Sequence, residues 1–145
     1  MQDRPTTLEL LAAVRDFVTR DVVPTLDARR QFHARVAANV LAIVERELRD
    51  GDAQLREEWT RLRTLCAVAA DRDGGPHDVD DDVPPADPAT LRAAVVALNA
   101  DLAARIRAGD ADHGSFRAAV LHHLRATTDD KLRIANPGYL EEASR

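Results

Sequence analysis

Apolar residues recur at three- and four-residue steps along almost the whole of this 145-residue chain, and no segment alternates at a step of two. That spacing lines one side of a 3.6-residue helix and cannot line one face of a pleated strand. The chain is therefore expected to be all-α. Composition points the same way. There are 26 Ala, 16 Leu and 13 Val, against three Phe, one Trp and one Tyr. Ala and Leu favour helix, and so few rings leave little with which to stack nucleic-acid bases.

Local signals divide the periodic stretch into helices. Thr6 followed by Glu9 is a capping box, with Pro5 ahead of it. The first helix is expected from about Thr7 to Val22. Leu8, Leu10, Leu11, Val14, Phe17, Val18 and Val22 fill about half its circumference at 100° per residue, a face wide enough for two neighbours. Val23-Pro24-Thr25 breaks the chain. A second helix is expected from about Leu26 to Asp50, ending at Gly51. Phe32, Val36, Val40, Ile43 and Val44 form its main stripe, widened by Ala37, Leu41 and Leu48, and this helix is expected at the centre of the fold. A third carries Leu55, Trp59, Leu62, Cys66 and Ala69 and ends near Asp71.

Residues 72–87 read RDGGPHDVDDDVPPAD, without periodicity, and are expected to be a mobile acidic loop. Asp87-Pro88 is an N-cap and N1 pair. It opens a fourth helix with Leu91, Val95, Leu98, Leu102 and Ile106, which stops at Gly109. Ser115 can cap a fifth, with Phe116, Val120, Leu124, Thr127 and Ile134, and Asn136-Pro137 restarts a short last helix. The expected architecture is a single-domain helical bundle over residues 1–145. It has five main helices, a short C-terminal one and mostly antiparallel order.

Charge and composition exclude several function classes. The net charge is −5, and seven Asp against one Arg within residues 71–88 account for six negative charges. The remainder is one unit positive and carries no basic field for nucleic acid. No apolar run approaches the roughly 20 residues that a membrane-spanning helix needs. The opening MQDRPTT lacks an apolar leader segment, so a cytoplasmic protein is expected. A single cysteine, Cys66, permits no internal disulfide and no cysteine-based metal site. On the apolar stripe with Trp59 and Leu62, it reads as packing rather than as a nucleophile.

Candidate chemistry is sparse. Asp78, Asp80 and Asp82 imitate the start of a calcium loop, but Val83 stands where Gly is required and Ala89 where Glu is required. His77 lies beside them, and the plain reading is a solvated acidic loop. No helix carries a metal-ligand spacing, and no phosphate-binding loop or nucleophile elbow is present. No catalytic residue, metal or cofactor is assigned. Arg29, Arg30 and Arg35 read as surface charges rather than an anion site.

One constellation remains. The helical wheel places His33 and Asn39 with Phe32, Val36 and Ile43. It places His123 with Phe116, Val120 and Thr127, while His122 points outward. His33, Asn39, His123 and Thr127 are therefore the candidate ligand-binding residues of an interhelical pocket. The competing reading is that each is a buried polar group satisfied by a neighbour.

Three segments resemble an uncharacterised bacterial family built on a domain of unknown function. They are Gln2–Thr6, the run FHARVAANVLAIVERE from Phe32 to Glu47, and the tail from Leu124 to Thr127 and Lys131 to Tyr139. The resemblance covers nearly the whole chain and is strongest in the second helix. It departs at Gly138, where the family usually has Arg, and in the longer acidic loop. What it implies is context: genes beside an aminoglycoside-phosphotransferase-like kinase and an acyl-CoA dehydrogenase. The expected function is thus a non-enzymatic accessory or interaction protein for such a kinase or dehydrogenase. A binder of, or enzyme on, an acyl-CoA-pathway metabolite is the alternative. A homodimer is a third expectation, because the broad apolar face of helix 1 and the two-sided helix 2 exceed what a monomer buries.

Overall fold

The computed structural model describes residues 4–73 and 83–143, and these are helical with no strand among them. The all-α expectation holds. The helices are α1 (Thr7–Phe17), α2 (Ala28–Asp73), α3 (Pro88–Arg107), α4 (Gly114–Ala135) and α5 (Pro137–Ala143). Residues 74–82, most of the acidic stretch, lie outside the described residues. The calcium-like reading of Asp78, Asp80 and Asp82 and the reading of His77 lie there too.

The chain groups into two compact units. The first is Met1–Gly51 with Arg133–Arg145, and the second is Asp52–Leu132.

In the first unit, α1 starts as its sequence dictates. The Thr6 hydroxyl accepts from the Glu9 N–H at 3.3 Å, and the Glu9 carboxylate accepts from the Thr6 N–H at 2.7 Å. After Phe17 the helix widens into a π turn, Val18–Val22, and then tightens into a 3-10 turn, Val23–Thr25. Pro24 cannot donate to the preceding turn, and Leu26 is extended, so the chain reverses. Asp27 receives the Arg30 N–H at 3.1 Å and opens α2. The C-terminal segment is tied to α2 by the Arg46 Nε–H, which donates to the Ile134 carbonyl at 2.6 Å.

The second unit has a compact core. Trp59, Leu62 and Leu65 of α2, Leu91, Val95 and Leu102 of α3, and Phe116 and Val120 of α4 are all buried. Leu55, Ala94, Leu98, Ala111 and Ala119 pack around them. The Asp87 side chain caps α3, accepting from the Thr90 N–H at 2.8 Å and the Thr90 hydroxyl at 2.7 Å. These bonds hold its carboxyl below the ordinary range. Gly109 takes a φ of 91° just past α3, the left-handed conformation that ends a helix without a Cβ penalty.

The break expected at Gly51 does not form. Helices expected to end at Asp50 and restart after Asp52 are one 46-residue helix, and Gly51 is helical within it. A glycine stops a helix by taking a positive φ or by giving way to neighbours; here the backbone hydrogen bonds simply continue. A Cβ on Gly51 would meet the end of the Glu47 side chain, with Oε1 at 3.0 Å and Cδ at 3.2 Å. That flexible carboxylate can swing aside. Gly51→Ala is therefore expected to stabilise the protein by about 0.5–1 kcal/mol, the usual cost of glycine inside a helix, read as a raised thermal midpoint. A lowered midpoint would show that residue 51 is a break.

Candidate functional site

Two features stand out, one in each unit. In the second unit a row of polar groups enters the core on α4. Phe116, Val120, His123, Thr127 and Asp130 follow at steps of four, three, four and three, so they share one face. His123 is 2% exposed and Asp130 7%. Leu124, expected on this stripe, is 45% exposed, and the histidine takes the inward place beside it. Facing the row is Arg61 of α2, whose Nη2–H donates to Asp130 Oδ2 at 2.7 Å. A second crossing bond runs from the Asn99 amide to Glu58 Oε1 at 2.9 Å.

This row is incompletely paired. His123 Nδ1, Thr127 Oγ1 and Arg61 Nε are buried without a hydrogen-bond partner. An unsatisfied buried polar atom costs on the order of 1–3 kcal/mol, so these atoms are the least satisfied polar groups of the second unit's buried face. Burial, reinforced by the Arg61 guanidinium, pushes the His123 pKa below its ordinary value; Glu58 opposes the shift. The imidazole is thus neutral near pH 7, able to donate from one nitrogen and accept at the other.

Thr127 sits one turn beyond His123 on α4, so these two of the four candidate residues belong together. His33 and Asn39 belong to the first unit and are solvent-exposed, contrary to the inward placement expected for them. The His33 ring touches Phe32 edge-on, with centroids 5.6 Å apart. The reason is rotational. The inner side of α2 in this unit runs through Gln31, Ala34, Ala38, Leu41, Ala42, Ile43 and Glu45, not through Phe32, Val36 or Val40.

Arg61, Asp130 and Glu58 were not legible as site residues. Arg61 and Asp130 are 69 positions apart, and a carboxylate on an apolar stripe reads as inward only once its cation is known. Cys66 lies beside a void of about 10 Å³ with Leu62, Leu102 and Phe116, room for about one water. Burial raises its thiol pKa, with Arg63 and Asp101 acting in opposite senses, which leaves it unactivated. A shallow hollow of about 290 Å³ lies between Trp59, Arg63, Ala94 and Leu98. The Arg63 guanidinium stands 5.9 Å from the Trp59 ring centroid. Among the described residues no group of three or more His, Cys, Asp or Glu could hold a metal ion. No helix among them is long and apolar enough to cross a membrane.

The second feature is the outer surface of the first unit. Among its described residues only Val23 and Glu45 are buried. The Arg15 Nη1–H donates to Glu45 Oε2 at 2.8 Å between α1 and α2. Outside that seam, Leu10, Val14 and Phe17 of α1 are exposed by 51–58%, and Phe32, Val36, Val40, Val44 and Leu48 of α2 by 38–62%. On each helix the exposed stripe is rotated from the seam in the same angular sense, by roughly 145–150° at 100° per residue. In an antiparallel pair that rotation leans both stripes to the same side, each turned largely outward from the seam. Of the stripe expected at the core of the fold, Phe32, Val36, Val40 and Val44 are turned to solvent, while Ile43 is half-buried.

The pH dependence of stability follows from His123. Below about pH 6.5 the unfolded chain takes up a proton that the folded chain resists, so its contribution is present above that pH and lost as pH falls. The thermal midpoint should fall between pH 7.5 and pH 5.5, and His123→Gln should make that fall smaller. Equal falls in both proteins would remove His123 as the titrating group.

No curated protein and no solved structure matches this chain. The pattern of one family does, over residues 24–139, from Pro24 at the reversal to Tyr139 in α5. The match covers both units, and the chain belongs to the family described as domain of unknown function DUF6285.

Proposed function

We propose that this protein is a non-enzymatic accessory protein that acts in the bacterial cytoplasm by protein–protein association. The observation that carries this reading is the apolar face of α1 and α2. Eight large apolar side chains stand well exposed on these two helices, and that much exposed apolar surface on a chain of this size marks an association site. The resemblance read in the sequence supports a phosphotransferase-like kinase or an acyl-CoA dehydrogenase as the enzyme served. A second reading, a binder of a small acyl-CoA-pathway metabolite, is favoured by one observation. The unpaired atoms of His123, Thr127 and Arg61 form a polar row that a small ligand could satisfy.

Affinity purification of the tagged protein from its own cells tests the first reading. Wild type should retain a kinase or acyl-CoA dehydrogenase at near-stoichiometric level. A Val36→Asp/Val40→Asp variant, altered only at exposed positions, should lose it while keeping its helical circular dichroism. Retention of the same proteins by both would overturn the reading. If acyl-CoA then raised the melting temperature of wild type but not of His123→Gln, the second reading would replace it.

A further inference from the structure

We propose that the apolar face of the first unit is covered by a second copy of this chain, with the two α2 helices antiparallel about a two-fold axis at Val40. The proposal rests on reading that face as the association surface and names its occupant.

Three observations select a second copy. The first is extent. Eight large apolar residues, each about half in water, expose on the order of 800 Å² per chain, which is one partner's share of a stable interface of standard size. The second is completeness. Among its described residues the first unit buries a single apolar residue, Val23, so two helices and the short C-terminal segment tied to them leave it without a core of its own. Two such hairpins face to face make a four-helix layer, which can enclose one.

The third is the sequence of the face itself. A two-fold axis requires a self-complementary patch. Phe32, Val36, Val40, Val44 and Leu48 follow at steps of four and form one ridge about 24 Å long. The ridge reads alike in both directions from Val40. Antiparallel pairing sets Phe32 against Leu48 of the second copy, Val36 against Val44, and Val40 against itself. The same register sets His33 against Glu47, both exposed, so an imidazole N–H can donate to a carboxylate on each flank. Ala37 falls opposite Ile43, small against large. No charge of like sign meets across this register. Parallel pairing would instead set Glu47 against Glu47.

Sedimentation equilibrium over a micromolar concentration series tests this, with circular dichroism to confirm folding. Wild type should be a dimer. Val40→Asp, which puts two carboxylates at the axis, should weaken it at least about a hundredfold. His33→Glu should weaken it about fivefold, and adding Glu47→Lys should restore it. A wild-type monomer across the series would overturn the proposal, as would a dimer indifferent to Val40→Asp. Loss with His33→Glu that Glu47→Lys fails to restore would overturn the antiparallel register. A monomer that still loses its enzyme partner on Val36→Asp/Val40→Asp overturns the second copy and leaves the accessory reading standing. A dimer whose disruption costs no partner does the reverse.

Discussion

Two helices can bury only the stripe that each turns to the other, and the first unit, which adds to α1 and α2 only a short C-terminal segment, is limited by that constraint. Its seam is built from Leu8, Leu11, Ala12 and Arg15 on α1, Val22 in the π turn that follows, and Ala34, Ala38, Leu41, Ala42 and Glu45 on α2. Alanines line much of that seam, and Phe32, Val36, Val40, Val44 and Leu48 are left outside. A helix that is apolar on two faces needs two partners, and the hairpin provides one.

The Arg15–Glu45 pair fixes how the hairpin closes. Glu45 is 4% exposed, with one oxygen held by Arg15 and Oε1 unpaired. A buried pair of this kind adds little net stability, but losing one partner strands the other charge. It therefore acts chiefly as a register mark, setting which faces of α1 and α2 meet and so which apolar stripe stays outside. The second unit solves the same problem with three helices. Its apolar core is shared by α2, α3 and α4, and the Arg61–Asp130 pair lies beside a real core.

Helix class, the capping box at Thr6 and the Asp87 cap were legible because each depends on residues within one turn of each other. The inward turn of His123 was also legible, since Phe116 and Val120 share its face. The rotation of α2 in the first unit was not. Phe32, Val36 and Val40 form the strongest stripe on a wheel, and the wheel assigns the strongest stripe to the core. The seam instead uses alanines, Leu41 and a glutamate whose inward place depends on Arg15, 30 positions away. The continuity of α2 was hidden by Gly51, whose stop signal acts only if its φ turns positive. His33 and Asn39 were misplaced by the same rotation, because their placement rested on the stripe.

The central claim is that the first unit, lacking a core of its own, is completed by association through the α1–α2 face. Amide hydrogen exchange read at two protein concentrations a hundredfold apart tests it most directly. Opening of an associated element depends on concentration, whereas opening of a self-contained one does not. The account predicts that protection of α1 and of residues 32–48 rises with concentration while that of α3 stays fixed. Equal protection of α1 and residues 32–48 at both concentrations would contradict it.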